Sequence, residues 1–268
     1  MAMTHDTNRS MQVAVVVSTW SGALPHRLLQ LCESLTRYRP GIEYDLVLCA
    51  NGMNYVLPGP VRDRFEKLFV RENTGYNLGA WDYAWRHLPN HDHFLFLQDD
   101  CVVRKNGWLQ DFIGCFSSTR NCGLVGENID RSWDIPWSEL CNPATKGDPR
   151  RSAEAIKQAE WAAFFREKLR EWKIPEGQTA RHVTTVVQFT SRTILEEVDG
   201  YNFGNSKLEA TAAEVAFSRK IAARGYSLVQ VGCRRHSRIA HPQWPSNAPA
   251  ARIWRSVKKR IPFKRASC

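Results

Sequence analysis

The chain has 268 residues, of which 43% are hydrophobic and 24% charged, and its formal net charge at pH 7 is +10. This is the composition of an ordinary globular protein, and it excludes the disordered and fibrous classes. A chain of this length forms one compact domain with elaborations, or two domains at most.

The positive charge lies near the C-terminus. Of the 37 lysine and arginine residues, 13 follow Glu214, and no aspartate or glutamate does. The preceding part has 24 basic and 27 acidic residues, so most of the chain is slightly acidic. A basic segment can bind nucleic acid, an anionic membrane surface or an anionic substrate, and charge alone leaves these three open.

We expect a cytoplasmic protein, because the chain shows no export signal and no membrane span. Residues 1–12 are polar, unlike a signal peptide, and the longest apolar stretches, at 13–17 and 94–97, are too short to cross a bilayer. The eight cysteines include no Cys-x-x-Cys pair, which indicates neither a zinc site nor a disulfide framework.

Strands and helices alternate through the first half of the chain. The β-branched run at 12–19 predicts a strand, and leucines at helical spacing predict a helix at 24–38. The same reasoning predicts further strands at 44–49, 69–71, 93–98 and 122–126, and helices at 61–68, 78–88 and 106–116. This alternation favours βαβ crossovers, and therefore an α/β fold with a doubly wound, mostly parallel sheet. Such sheets bind ligands at the carboxyl ends of their strands.

The pattern becomes irregular after Glu127. Residues 128–151 are rich in tryptophan and proline and predict a loop, which an amphipathic helix at 152–172 follows. The remaining segments predict a strand at 184–190, helices at 192–198 and 209–224, and a last strand at 226–231.

The strongest chemical signal is the pair Asp99 and Asp100, which ends the predicted strand 93–98. Two adjacent carboxylates at the end of a buried strand repel each other and lose hydration, so they need a cation or hydrogen-bond donors. Their oxygens suit Mg²⁺ or Mn²⁺. A simple turn, where aspartate is common, is the alternative. The position at the carboxyl end of a strand favours a ligand site.

A second signal is the segment 71–82, which runs from a strand end through Gly75 and Gly79 into a helix. Glycine permits close backbone approach, and the amides at a helix start favour an anion. A turn with Asn77 as the helix N-cap explains the same residues.

Together and in this order, these segments resemble the family 2 glycosyltransferases, enzymes of the GT-A fold. The resemblance covers residues 12–126 well and 190–241 loosely. It rests on the motifs VAVVVSTW, LVLCANG, RENTGYNLGAWDYAW, FLFLQDDCVV and EATAAEVAFSRKIAARGYSLVQVG. It implies a single GT-A domain at 12–241, with a nucleotide-sugar-binding half at about 12–126 and a variable acceptor-side half at about 127–241. A basic tail at 242–268 follows this domain.

The resemblance also implies roles for individual residues. Asp100 matches the aspartate that binds the metal, and Asp99 matches the one near the ribose or the metal. Gln98 stands where many members have the first acid of an Asp-x-Asp. The positions that hold the nucleotide base or line the donor site correspond to Thr19, Asn51, Asn73, Gly75, Gly79 and Asp82.

Inverting members of the family use a carboxylate as general base, and Glu214 stands at its position, with Glu209 as the runner-up. Members also place a histidine after the last strand, where it completes the metal site or touches the diphosphate. His236 matches this histidine, and His241 is the alternative. The arginines in the region expected for the diphosphate are Arg234, Arg235 and Arg238.

The implied activity is a metal-dependent, inverting transfer of a hexosyl or deoxyhexosyl group, with Mn²⁺ or Mg²⁺ as cofactor. The donor would be a UDP-, dTDP- or GDP-linked sugar, and the acceptor a saccharide or lipid-linked saccharide of bacterial-type surface polysaccharide or glycoconjugate synthesis. The acceptor-side half holds the aromatic candidates for acceptor contacts, Trp133, Trp137, Trp161 and Trp172, of which the last two equally suit helix packing.

The composition of the basic tail suggests a subcellular location. Residues 252–265 mix apolar and basic side chains, a composition suited to an anionic membrane surface, and so to a peripheral position at the inner face of the plasma membrane. A solvated tail is the alternative.

Two other functions stay open. A nucleotidyltransferase would share the nucleotide-binding sheet and the metal, but residues 19–25 lack the basic loop that we would expect after the first strand. A non-catalytic basic domain that binds nucleic acid or membrane would explain the tail but not the aspartate pair, and we expect no nucleic-acid partner. A dinucleotide oxidoreductase and a P-loop enzyme are disfavoured, because the glycine-rich motifs of both are missing.

Overall fold

The structure, a computed structural model, describes residues 11–57, 59–142 and 149–242, with only the main chain at 149–154. Its centre is a seven-stranded sheet made of β1 (Val13–Trp20), β2 (Asp45–Asn51), β3 (Lys67–Arg71), β4 (His93–Gln98), β6 (Cys122–Gly126), β7 (Val187–Ser191) and β8 (Ser227–Gln230). The spatial order is β3-β2-β1-β4-β7-β6-β8. Strand β7 is antiparallel to both neighbours, and the other pairs are parallel. The predicted α/β fold with a mostly parallel sheet is therefore confirmed.

Two short strands form a separate ladder beside the sheet. Strand β5 (Val102–Val103) follows β4 after a tight turn, and β9 (Ile239–Ala240) pairs with it in antiparallel register. The ladder ties the end of the described chain to the carboxyl end of β4.

Eight helices connect the strands or lie beside them in the described part of the chain. They are α1 (Pro25–Arg37), α2 (Gly59–Arg62), α3 (Tyr76–Arg86), α4 (Trp108–Ser118), α5 (Trp137–Leu140), α6 (Pro149–Glu171), α7 (Arg192–Glu197) and α8 (Lys207–Ala223), with a 3-10 helix at Arg131–Trp133. None of the helices described is both long enough and apolar enough to cross a membrane.

The alternation of side chains along β1 shows why the sheet is covered on both faces. Val15 and Val17 point into a core that α1 and α4 cover, where Trp108 is fully buried. Val16 points the other way, into a core with Trp81 of α3. A strand between two cores has no polar face, which explains its continuous apolar run.

The acceptor-side region has a third core of its own. Trp133 and Trp137 are buried against Phe165 of α6 and Val215 of α8. The expectation that these two tryptophans contact an acceptor is therefore wrong, because their rings pack inside the protein. Trp161 and Trp172 are only partly buried around the same core.

The helix predicted at 61–68 is mostly wrong. Helix α2 ends at Arg62, and β3 begins at Lys67, which pairs with Val47. The carboxylate of Glu66 accepts a hydrogen bond from the Leu46 amide at 2.6 Å, so the chain already lies alongside β2 at this residue. Pairing with a neighbouring strand has overridden local helix propensity.

Two other boundaries differ from the predictions. The strand predicted at 184–190 begins three residues later, because the Thr184 and Thr185 amides donate to Asn128 and Glu214 instead of to a strand. The loop predicted at 128–151 contains the 3-10 helix, α5 and the first residues of α6.

Candidate active site

The carboxyl ends of β1 and β4 bring the first polar pair together. In these neighbouring strands Ser18 pairs with Gln98, so the next residue of each strand lies at the same edge of the sheet. There the Thr19 hydroxyl donates to Asp99 Oδ2 at 2.6 Å. Burial raises the pKa of Asp99, and the hydroxyl opposes this shift by stabilising the ionised form.

Asp100 lies between two side chains that can carry positive charge. Its Oδ2 is 3.3 Å from Arg27 Nη1, in the first turn of α1, and its Oδ1 is 2.7 Å from His241 Nε2. The β5–β9 ladder explains the second contact, because Val102 pairs with Ala240 and so places the following residue near Asp100. The alternative histidine of the sequence analysis is thus the one that meets the aspartate pair.

The Asp100 and His241 side chains fit a divalent cation. Asp100 Oδ1 is buried and lies 2.7 Å from the imidazole nitrogen Nε2 of His241. A carboxylate oxygen beside an imidazole nitrogen is a donor set for Mn²⁺ or Mg²⁺, which commonly complete their shells with substrate phosphates and water. No group of three His, Cys, Asp or Glu side chains that could hold a metal occurs in the described ranges.

His236 has a different environment. Its ring is buried, and its Nδ1 lies 3.3 Å from the Ile239 carbonyl. Burial lowers its pKa to about 4, so the ring is neutral at pH 7. A positive charge on His236 that would offset a leaving phosphate is therefore not available at this pH.

Glu127, which the sequence analysis did not select, organises the loop before β9. It follows β6 and is 1% exposed. Its carboxylate accepts hydrogen bonds from the amides of Ser237, Arg238 and Ile239 at 2.8 to 2.9 Å. Burial nevertheless raises its pKa to about 7. The sequence signal that could have identified Glu127 is a single acidic residue directly after a predicted strand.

Glu214 lies on α8 with its side chain 14% exposed. Its Oε1 accepts a hydrogen bond from the Thr185 amide at 2.7 Å, and His182 Nε2 is 3.8 Å away. Burial raises its pKa, an effect that His182 and the Thr185 hydrogen bonds oppose. A carboxylate with a raised pKa is better matched to accepting a proton near neutral pH than an ordinary surface glutamate.

Glu209 has a structural role one and a half turns earlier. Its Oε2 accepts from the Ser206 amide at 3.0 Å, while the Ser206 hydroxyl accepts from the Glu209 amide, and together they form a capping box at the start of α8. Its Oε1 lies 3.1 Å from Lys168 Nζ. The hydrogen bond from Lys168 and those from Ser206 lower the pKa of Glu209 to about 2. These contacts make it a poor proton acceptor.

Thr185 connects the two carboxylate centres through its main chain. Its amide donates to Glu214, and its carbonyl accepts from Gln98 Nε2 at 2.8 Å and from Asn77 Nδ2 at 2.9 Å. Gln98 Oε1 in turn lies 3.2 Å from His241 Nε2. A continuous chain of contacts therefore joins Glu214 to the surroundings of Asp100.

The segment after β3 packs as a structural unit. Asn51, 2% exposed, donates through Nδ2 to the Tyr76 carbonyl at 2.8 Å and accepts from Arg71 at 2.7 Å. A Cβ on Gly79 would collide with the Thr74 carbonyl. Both polar atoms of the Asn51 amide are thus engaged within the protein, and its role at the nucleotide base stays a prediction.

The other residues predicted to line the donor site are spread over two places. Gly75, with φ +71°, caps α3, and a Cβ there would collide with Phe203. Asn73 is exposed two residues earlier. Asp82 is buried elsewhere, where it accepts from Trp85, Arg86 and the Tyr201 amide, and it thereby joins α3 to the segment before α8. Asp82 is thus engaged within the protein, and its role at the donor site stays a prediction.

The three arginines of the last loop also separate. Arg238 bonds Asp111 through Nε at 2.9 Å and the Val231 carbonyl through Nη1 at 2.9 Å, so its guanidinium serves the fold. Arg234 and Arg235 are exposed. They are the two of the three that remain accessible to an anion.

No known family profile matches the sequence, and no curated protein sequence does. The solved structures with similar folds include a mannosyltransferase, PcManGT from Pyrobaculum calidifontis, in complex with GDP-Man and Mn²⁺. It is 14% identical, with a TM-score of 0.48, and the match covers 84% of this chain and 55% of that one. TarS from S. aureus is 16% identical, with a TM-score of 0.32 over 43% of this chain and 21% of that one. This chain thus spans about half of the mannosyltransferase chain and about a fifth of the TarS chain.

Proposed function

We propose that the chain is a metal-dependent, inverting glycosyltransferase of the GT-A type. It transfers a hexosyl or deoxyhexosyl group from a UDP-, dTDP- or GDP-linked sugar to a hydroxyl of a saccharide or lipid-linked saccharide. The setting is bacterial-type surface polysaccharide or glycoconjugate synthesis in the cytoplasm, at the inner face of the plasma membrane.

One observation carries the proposal. The largely buried carboxylate of Glu214 is linked to Asp100, just after β4, through a continuous chain of contacts that runs over the Thr185 main chain, Gln98 and His241. A cation site and a separate proton acceptor are the two devices that a single displacement at an anomeric carbon requires. The sequence resemblance to family 2 glycosyltransferases supports the same assignment.

The reaction assigns one task to each group. The acceptor hydroxyl oxygen forms a bond to the anomeric carbon, while the bond from that carbon to the diphosphate oxygen breaks and its electron pair leaves with the nucleoside diphosphate. Glu214 takes the hydroxyl proton. Thr185 holds the Glu214 carboxylate in place, and burial raises its pKa toward the pH at which it works.

Asp100 and His241 are the residues that would hold the cation, with Asp99 beside them. A bound dication supplies electrostatic stabilisation of the charge that develops on the diphosphate. Arg27, 43% exposed and 3.3 Å from Asp100, is free to turn toward the same anion when the aspartate engages a metal. Thr19 keeps Asp99 oriented through its hydroxyl.

A panel of nucleotide sugars tests this function. Each donor is incubated with the protein in Mn²⁺, in Mg²⁺ and in EDTA, and both the midpoint of thermal unfolding and the released nucleoside diphosphate are measured. We expect one donor class to stabilise the protein and to be hydrolysed slowly, with both effects abolished by EDTA and by Asp100→Asn.

The same panel, extended by nucleoside triphosphates paired with sugar phosphates, separates the alternatives. Release of pyrophosphate instead of nucleoside diphosphate from a nucleoside triphosphate and a sugar phosphate would indicate a nucleotidyltransferase. If no donor changes stability or is hydrolysed, the glycosyltransferase assignment fails.

A further inference from the structure

We propose that Gln98 contributes its amide oxygen to the cation site, as an uncharged third protein group beside Asp100 and His241. This inference rests on the proposed function, because it concerns the metal that this function requires. It assigns a role to the residue at which the chain departs from the Asp-x-Asp pattern.

The orientation of the Gln98 amide is fixed by its neighbours. Its Nε2 donates to the Thr185 carbonyl at 2.8 Å. A carbonyl accepts a hydrogen bond and cannot donate one, so the amide nitrogen must face Thr185 and the amide oxygen must face away from it. The oxygen lies 3.2 Å from His241 Nε2.

Two side-chain oxygens therefore lie beside one imidazole nitrogen. The His241 Nε2 is 2.7 Å from Asp100 Oδ1 and 3.2 Å from Gln98 Oε1. Amide oxygens are ordinary ligands of hard cations, either directly or through a bound water. The Gln98 amide oxygen is thus the third protein group that lies beside Asp100 and His241.

The Thr185 carbonyl also explains why an acid would fit poorly at position 98. A carboxylate has no proton to donate to that carbonyl, so the two oxygens would repel each other. It would also add a third negative charge beside Asp99 and Asp100 in a partly buried site, where like charges are costly. Glutamine supplies an oxygen toward the cation and a donor toward Thr185 at once.

Direct measurement of Mn²⁺ binding tests this role without using activity. Free Mn²⁺ is measured by electron paramagnetic resonance as each protein is titrated, with UDP or GDP present. We expect Gln98→Met, which keeps the shape but removes both polar atoms, to weaken binding at least tenfold. Gln98→Glu keeps an oxygen but loses the hydrogen bond to the Thr185 carbonyl, so its Mn²⁺ affinity should fall by less than that of Gln98→Met.

Asn77→Ala is the matched control. Asn77 donates to the same Thr185 carbonyl at 2.9 Å, so the variant loses an equivalent hydrogen bond without losing an oxygen beside His241. Its Mn²⁺ affinity should remain within twofold. Circular dichroism verifies folding, and Gln98→Ala replaces Gln98→Met, with the same expectation, if the latter does not fold.

The outcomes distinguish the ligand role of Gln98 from the proposed function. If the original protein binds Mn²⁺ and Gln98→Met binds it equally well, the role of Gln98 is wrong and the proposed function stands. If Asn77→Ala weakens binding as much as Gln98→Met, the effect comes from Thr185 and the ligand role is again wrong. If the original protein does not bind Mn²⁺ at all, metal dependence and the role of Gln98 fail together.

Discussion

Glu214 and Glu209 lie on the same helix, and their surroundings assign them different tasks. The side chain of Glu214 is 14% exposed, meets an amide and an imidazole, and has a raised pKa. Glu209 is engaged by Lys168 and by its own helix cap, and its pKa is lowered to about 2. Sequence reasoning ranked the two by their distance from a motif, whereas burial and pairing now give a physical reason for the same order.

We predict that Glu214→Gln lowers kcat by about 10² to 10⁴, because the acceptor hydroxyl loses its proton acceptor. The KM for the donor should change little, since the proposed role of Glu214 is to accept a proton from the acceptor. Steady-state kinetics with the donor identified by the panel measures both constants.

Glu209→Gln is the control in the same helix. It should lower the midpoint of thermal unfolding by weakening the cap and the Lys168 contact, with kcat within about twofold of the original value. If Glu209→Gln abolishes transfer and Glu214→Gln does not, the assignment of the base is reversed.

Glu127 makes the stability of the protein depend on pH. Its pKa rises from the ordinary 4.5 to about 7 on folding, so the folded state binds a proton more tightly than the unfolded state. The stabilising contribution is therefore complete below pH 4.5 and lost as pH rises to about 7, where the loss amounts to about 3 kcal/mol. We predict that Glu127→Gln removes this dependence.

Urea unfolding at pH 5, 6, 7 and 8 tests this prediction. The free energy of unfolding of the original protein, minus that of Glu127→Gln, should fall between pH 5 and 7. It should stay constant between pH 7 and 8. Parallel curves for the two proteins would show that Glu127 has an ordinary pKa.

At the scale of single residues, functional groups that are adjacent in the chain could be predicted from the sequence. Groups that are brought together by strand pairing could not. Asp99 and Asp100 stand next to each other after an apolar run, so their site could be predicted. The ranking of His236 over His241 could not be settled in this way, because the two-residue ladder between β5 and β9 decides which ring reaches Asp100. The hydrogen bonds of Glu127, and the one from Gln98 Nε2 to Thr185, end on main-chain groups, which no residue pattern reveals.

At the scale of elements, the start of α8 is a unit with a clear function in folding. The Ser206 hydroxyl and the Glu209 carboxylate satisfy amides at the helix start reciprocally. We predict that Ser206→Ala destabilises the protein by about 1 kcal/mol. Urea unfolding measures this loss, and kcat should be unchanged because the cap lies two helical turns from Glu214. A loss of activity without a loss of stability would contradict this separation.

The predicted elements succeeded where burial on both faces leaves continuous apolar runs, as in β1 and β4. The predictions were wrong where the neighbouring strand, and not the local sequence, determines the structure of a segment. Residues 61–68 have helical composition, yet their second half pairs with β2. The direction of β7 also depends on its neighbours, since an apolar run has the same composition whichever way it runs.

At the scale of the whole molecule, the charge surplus divides between two places. Arg234 and Arg235 are exposed in the loop after β8. The basic residues of the predicted tail, all within 252–265, lie outside the described residues, and the role of the tail at an anionic membrane stays a prediction.

We predict that deletion of residues 251–268 releases the protein from vesicles that contain phosphatidylglycerol. Polybasic segments with apolar side chains gain both electrostatic attraction and apolar insertion at such surfaces, and the attraction should weaken with salt. Co-sedimentation at low and at physiological ionic strength measures this. Equal binding of the full chain and the deletion variant would refute the role of the tail.

The predicted halves of the domain, about 12–126 and 127–241, are interleaved in the sheet. Strand β7 comes from the second half and lies between β4 and β6, which both come from the first. During synthesis on the ribosome, β6 is therefore complete roughly 60 residues before the strand that joins it to the sheet, an interval of several seconds at ~5–20 residues per second. In that interval the nascent chain carries an unpaired apolar strand, which is an aggregation hazard. Folding of the newborn protein should consequently depend on chaperones, or on a pace of translation that keeps this interval short.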